Sequence, residues 1–411
     1  MNNRKFSATM GTRLPILMLA LLAALVALAA GQALSAQPAE AICPQPPCKP
    51  VSEPVRQPTE TGSDERRSQN VSSSVAKRGS SISSVHRRIT REEAKRALKY
   101  WTKKRMANAT PVSSRTDRPA RKSNADQPLP PNSSSRPGKG AAPVLPSNPP
   151  DNGSRRSEGS GVITPYADFG QEWTGPSTRP PATVNGVLFY RAAGSKTDLR
   201  CNASTVNSPA KNLVFTAGRC VHSGYRGDWY DYVVFVPGYR EGSAPYGRWF
   251  AKELWSNTAW TDSGDEGYNY GAVVFYPNAG QRLVDVVGAN GIRWNYPVEQ
   301  YTYTFGYPNN YAKGEVLQYC SGTTFGGGIL DPRTMFLKCD FEVYPGRGRV
   351  GAFGGPWVMN FNGEVGLGYL HSITTGNQYI CRLFASCQRE IYGVRFDDAV
   401  KSFYNDVSVR Y

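Results

Sequence analysis

Few residues of this 411-residue chain can do acid–base or nucleophilic chemistry near neutral pH. There are three histidines, His86, His222 and His371, and imidazole is the side chain whose charge ordinarily changes in that range. His86 lies in a basic stretch, His222 follows Cys220, and His371 sits in the run Gly368-Tyr369-Leu370-His371-Ser372. Eight cysteines stand at 43, 48, 201, 220, 320, 339, 381 and 387. None has the CxxC spacing of a metal site, so no metal and no cofactor is expected. They fall into sequential neighbours, a pattern that suits disulfides closing local loops outside the cell. On that pattern Cys43–Cys48, Cys320–Cys339 and Cys381–Cys387 pair, with Cys201 and Cys220 the remaining neighbours.

From about Val184 onward the chain reads as short apolar strands separated by turn residues. Val187-Leu188-Phe189-Tyr190, Leu213-Val214-Phe215, Tyr232 to Val236, Ala272 to Phe275, Tyr301 to Phe305 and Pro356 to Met359 are the clearest. Many short strands at regular spacing predict an all-β barrel or sandwich. Asn362-Gly363 predicts a two-residue hairpin turn, and Asp397 to Asn405 a short C-terminal helix. Residues 42–180 are rich in Ser, Pro, Arg and Asn and poor in aromatics. Such a tract buries too little apolar surface to offset its chain entropy, so it is expected to be largely disordered, or a pro-segment. One island differs. Thr90 and Glu93 fit a capping box, and Ala94, Ala97, Leu98 and Trp101 recur at helical spacing, predicting a helix near 91–106.

The formal charge is +16. Residues 42–160 hold 23 Lys and Arg against 10 Asp and Glu, whereas 161–411 hold 22 against 21. The basicity therefore belongs to the N-terminal tract, where a cell-wall polyanion is a candidate partner, and a nucleic-acid groove on the folded domain is not expected. Arg4, Lys5 and Arg13, followed by the apolar run Leu14 to Ala30 and small residues to Ala41, read as a secretory signal over 1–41. Export, with no membrane association after cleavage, is the expectation.

Three segments in order carry a resemblance. They are Leu213-Val214-Phe215-Thr216-Ala217-Gly218-Arg219-Cys220-Val221, Glu266-Gly267-Tyr268-Asn269-Tyr270-Gly271-Ala272-Val273 and Gly351-Ala352-Phe353-Gly354-Gly355-Pro356-Trp357. They are similar to the VxTAGHCV, GYDYGAV and GxSGGPW segments of secreted bacterial trypsin-like serine peptidases. Tyr303 to Pro308 resembles a GYP segment of the same family, and Tyr100 to Pro111 a YWTxxRMxxATP stretch found ahead of such domains. The resemblance spans about 180–405. It implies two packed antiparallel β-barrels, expected over 182–290 and 296–395 within a domain 181–411. It also implies a Cys201–Cys220 disulfide.

In that family the His of the first segment is the general base, the Asp of the second orients it, and the Ser of the third attacks the acyl carbon. The matching positions here are Arg219, Asn269 and Phe353. A guanidinium has no acceptor lone pair and stays protonated, Asn269 carries no charge, and Phe353 has no nucleophilic atom. The oxyanion-hole donors implied by the resemblance are the backbone N–H groups of Gly351 and Phe353, with a benzyl group over them. Arg219 is expected to stack on Phe353 and to donate to Asn269, with Asp262, Asp265 or Glu266 supplying the anion that a buried cation needs. His371 falls near the strand that walls the specificity pocket of the family. The resulting expectation is a catalytically inactive peptidase homologue that binds an unidentified protein or peptide outside the cell. The alternatives are an active secreted endopeptidase and a polyanion binder working through 42–160.

Overall fold

The computed structural model describes residues 82–112, 144–148, 170–326, 332–339, 341, 352–380 and 388–411. The expected signal, the Cys43–Cys48 and Cys381–Cys387 pairs and Gly351 lie outside them. Of the helices among the described residues, none is long and apolar enough to cross a membrane.

The first sheet is built from β1 (Ser84–Arg88), β2 (Thr110–Pro111), β4 (Asn185–Arg191), β5 (Asp198–Val206), β6 (Leu213–Thr216), β7 (Asp231–Pro237), β8 (Trp249–Asn257) and β9 (Gly271–Phe275). Its order is β1-β8-β7-β4-β5-β6-β9, and β9 pairs back onto β8, so six strands close into a barrel. Closure removes the free edges that an open sheet would expose. The second sheet takes β3 (Gln171–Glu172) and β10 (Gly291–Ile292) with β11 (Tyr301–Gly306), β12 (Gln318–Thr323), β13 (Phe325–Gly326), β14 (Thr334–Lys338), β15 (Pro356–Asn362), β16 (Leu367–Ile380) and β17 (Gln388–Val394). Its order is β13-β14-β17-β16-β15-β11-β12-β3, a half-barrel. The molecule is mostly β, as the strand pattern predicts. Five helices accompany the sheets among the described residues: α1 (Arg91–Tyr100), α2 (Lys103–Asn108), α3 (Thr258–Ser263), α4 (Leu283–Val287) and the C-terminal α5 (Asp398–Ser408). Asp397 caps α5 by accepting the Ala399 N–H at 3.0 Å.

Three departures from the sequence reading have physical causes. The helix predicted near 91–106 is two helices. Thr90 and Glu93 make the capping box at the start of α1, but the chain turns extended at Trp101 (φ −81°, ψ 92°). That turn drives the Trp101 ring fully into the core, and Thr102 then caps α2 by accepting the Arg105 N–H.

The folded unit also reaches far upstream of residue 181. β1 pairs with β8 over Ser84–Arg88, β2 runs parallel to β5, and Val144 and Ser147 bridge to Ile292 and Ala289. Ile89, Ala94 and Val112 join one hydrophobic cluster, and Ala97, Trp101, Met106 and Ala109 join another. That second cluster also takes side chains from both sheets, Val187 and Phe189 from one and Phe305 and Val358 from the other.

Asn362-Gly363 does not form a two-residue turn. The register places Asn362 opposite Leu367, leaving a four-residue loop. Asn362 Oδ1 accepts the Glu364 and Val365 N–H groups at 2.9 and 3.2 Å. Gly366 closes the loop at φ +75°, where an added Cβ would lie 2.0 Å from the Pro180 carbonyl oxygen.

Candidate functional site

Arg219, Asn269 and Phe353 come from three separate turns. Arg219 is the middle residue of a 3-10 turn, Gly218–Cys220, just after β6. The Cys201–Cys220 disulfide, with Cα atoms 6.0 Å apart, ties that turn to β5. Asn269 ends the 3-10 turn Glu266–Tyr268 and leads into β9. Because β6 pairs with β9, Thr216 opposite Gly271, both turns leave the same end of the first barrel. Phe353 belongs to the turn before β15. Its carbonyl accepts the Asn202 N–H at 2.8 Å and Asn202 Nδ2 at 3.2 Å, which fixes the turn to β5. Gly354 follows at φ +81°, and a Cβ there would lie 2.1 Å from the Asn202 carbonyl oxygen.

The three side chains converge. The Arg219 guanidinium stands 4.9 Å from the Phe353 ring centroid and 5.7 Å from that of Trp260. Its Nη2 donates to both oxygens of Glu266, at 2.8 and 2.9 Å. Glu266 is thus the anion, among the three acids that the sequence offered. Asn269 is fully buried, and it accepts a hydrogen bond from Arg219 through the backbone. Its Oδ1 accepts the backbone N–H of Arg219 at 2.9 Å, not a guanidinium proton. Its Nδ2 donates to Glu266 Oε2 at 2.7 Å. An amide meets both demands at once, whereas a carboxylate has no proton to give Glu266. Phe353 is 1% exposed and packs in a core cluster that joins the first barrel to Leu370 and Ile373 of β16.

Chemically this cluster is closed. Its cation has no lone pair, the Asn269 oxygen is engaged by a backbone N–H, and the Glu266 carboxylate receives two donors. Sequence reasoning did not single out Trp260 or Asn202. Trp260 packs under the site, since a Cβ on Gly218 would lie 2.9 Å from its ring, and its Nε1 donates to the His222 carbonyl at 3.1 Å. The available signal for Asn202 was its place beside Cys201.

None of the three histidines enters this cluster. His222 is buried. Its Nδ1 accepts the Gly224 N–H at 3.0 Å, and burial lowers its pKa. His86 stacks on Trp255 with ring centroids 4.3 Å apart. His371 lies on β16, with Nε2 2.8 Å from Thr302 Oγ1, and burial pushes its pKa down to about 3. The unfolded chain therefore binds more protons at this residue below about pH 6.5. Stability from neutral His371 is complete above that pH and is lost as pH falls toward 3, by at most about 1.4 kcal/mol per pH unit. The variant His371→Gln should lose about 2 kcal/mol less than the wild type between pH 6.5 and 4.5. Urea unfolding at the two pH values measures this; equal losses would show that His371 is protonated in the folded state.

The second disulfide, Cys320–Cys339, joins β12 to the end of β14. Among the described residues no group of three or more His, Cys, Asp or Glu could hold a metal ion.

No family model matches the chain. It is 33% identical over 97 residues to an extracellular metalloprotease of Bacillus subtilis, a match spanning 24% of this chain and 30% of that protein. Among solved structures it is similar to the protease Anisep of Arthrobacter nicotinovorans, at 29% identity and a TM-score of 0.48 over 59% of this chain and 100% of that one. It is also similar to the thermostable serine protease AL20 from an extremophilic microorganism, at 26% identity and a TM-score of 0.48 over 57% and 100%. A Glu endopeptidase aligns at 15% identity and a TM-score of 0.43 over 60% and 100%.

Proposed function

We propose that this chain is a secreted serine-peptidase homologue that does not hydrolyse peptide bonds and acts outside the cell by binding. The motif order supports the relationship. The inactivity rests on one observation: Arg219, Glu266, Asn269 and Phe353 contact one another where the family keeps its base, orienting acid and nucleophile. A guanidinium cannot take the nucleophile's proton, and no hydroxyl stands at 353 to be activated. The ring of Phe353, buried under Arg219, fills the space in which an acyl carbon would have to sit. The ligand is a protein or peptide, since the barrels and their connecting loops remain while the reacting groups are gone. The test is casein and mixed-peptide hydrolysis by the purified secreted protein. No turnover above buffer is expected; turnover abolished by a serine-hydrolase inhibitor would restore the enzyme reading.

A further inference from the structure

The outer face of α1 and α2 is strongly basic. Between Arg88 and Arg105 eight exposed side chains are Lys or Arg, and Glu92 is the exposed acid among them. Three of the cations are partly engaged inward. Arg105 pairs with Asp198 at 3.1 Å, Arg88 approaches Glu253 at 3.9 Å, and Arg91 lies over the Tyr276 ring at 4.9 Å. Lys95, Lys99 and Lys104 form no ion pair among the described residues. Arg91, Lys95 and Lys99 follow one another at four-residue spacing, which stacks them on one side of α1 about 6 Å apart along its axis.

The face is also held rigidly. β1 precedes it on the barrel edge, Trp101 anchors it from below, with Nε1 donating to the Tyr232 carbonyl at 2.5 Å, and Arg248 donates to the Leu98 carbonyl at 3.1 Å. A line of cations on a fixed frame loses little conformational freedom on binding. From 161 to 411, by contrast, 22 basic residues are balanced by 21 acidic ones.

We infer that this face of α1 and α2 is a binding site for a linear phosphodiester polymer without stacked bases, of the polyglycerol-phosphate type. Charge complementarity selects a polyanion. No residue of α1 or α2 carries an exposed aromatic ring, which selects against single-stranded nucleic acid, gripped as it is by base stacking on aromatic side chains. Tyr100, at the end of α1, is half-buried with the Arg105 guanidinium 4.1 Å from its ring centroid. A lipid surface is disfavoured too, because the exposed positions offer no large apolar side chain to enter it. The site is separate from the Arg219 cluster and does not depend on the peptidase reading.

The test uses the full chain and soluble polyglycerol phosphate in about 50 mM salt, low enough that phosphate contacts are weakly competed by counterions. Lys95→Glu, Lys99→Glu and Lys104→Glu combined should weaken binding about 100-fold, with an unchanged melting temperature. The milder triple Lys→Gln variant should weaken it about tenfold. Wild-type affinity retained by both variants would overturn the site, placing any polyanion binding elsewhere in the basic tract. Tighter binding of oligo-dT than of polyglycerol phosphate at matched charge, or of phosphatidylglycerol vesicles in preference to the soluble polymer, would overturn the ligand class.

Discussion

Trp101→Ala should destabilise the entire domain by about 3–5 kcal/mol. The side chain is fully buried and packs against Phe189 with ring centroids 5.4 Å apart. Its indole N–H satisfies the Tyr232 carbonyl. Truncation removes a large apolar surface, leaves a cavity that a sheet cannot collapse to fill, and orphans a buried acceptor. Trp101→Phe keeps most of the volume and loses the hydrogen bond, so it should cost about 1–2 kcal/mol. The large effect follows from where Trp101 sits, in a cluster drawn from both sheets. Urea unfolding followed by far-UV circular dichroism reports it. A midpoint unchanged in Trp101→Ala would mean that residues 82–112 rest on the barrel without being part of its core.

Removing Glu266 should be worse than removing Arg219. Glu266→Ala leaves a guanidinium, whose side chain is 13% exposed, between two aromatic rings with no anion, and deprives Asn269 Nδ2 of its acceptor. Loss of one partner from a largely buried pair costs about 3–5 kcal/mol; with Glu266 itself 25% exposed, about 2–4 kcal/mol is expected here. Arg219→Met puts an apolar chain of similar length against Phe353 and Trp260 and leaves Glu266 facing solvent and Asn269, so about 1 kcal/mol or less is expected. The double variant should be less destabilised than the two single costs added together, because the pair is lost once. Equal costs for the two single variants would mean that the ion pair contributes no more than its exposed part. Asn269→Asp should also destabilise, since it sets a second carboxylate 2.7 Å from Glu266 in place of a donor.

Much of this site could be read in the sequence because the three segments name their own positions, and strand pairing must then bring them together. Arg219 over Phe353 follows from that convergence alone. Which atoms bond does not. A hydrogen bond from Arg219 to Asn269 is expected from the sequence, but its donor is not: the 3-10 turn at 218–220 aims the Arg219 backbone N–H at Asn269, and the guanidinium passes on to Glu266. Local pattern likewise shows β4, β6, β7 and β9 of the closed barrel, whose apolar runs are almost wholly buried, but not β5 or β8. It does not show β1. Ser84-Val85-His86-Arg87-Arg88 has neither apolar alternation nor turn signals, and its partner, Asn257 opposite Ser84, lies far along the chain. Its place is set by tertiary pairing on β8, by the stacking of His86 on Trp255 and by the Arg87–Asp231 contact at 2.8 Å. The same long-range dependence explains why the helix near 91–106 was legible in its cap and not in its break, since Trp101 leaves the helix to reach a core built by other segments.

The most direct test of the central claim is intact-mass spectrometry of the folded, secreted protein after incubation with excess fluorophosphonate. If Arg219, Glu266, Asn269 and Phe353 have closed the centre, the mass stays that of the untreated protein. A stoichiometric adduct that is lost on prior denaturation would reveal an activated nucleophile and contradict the account.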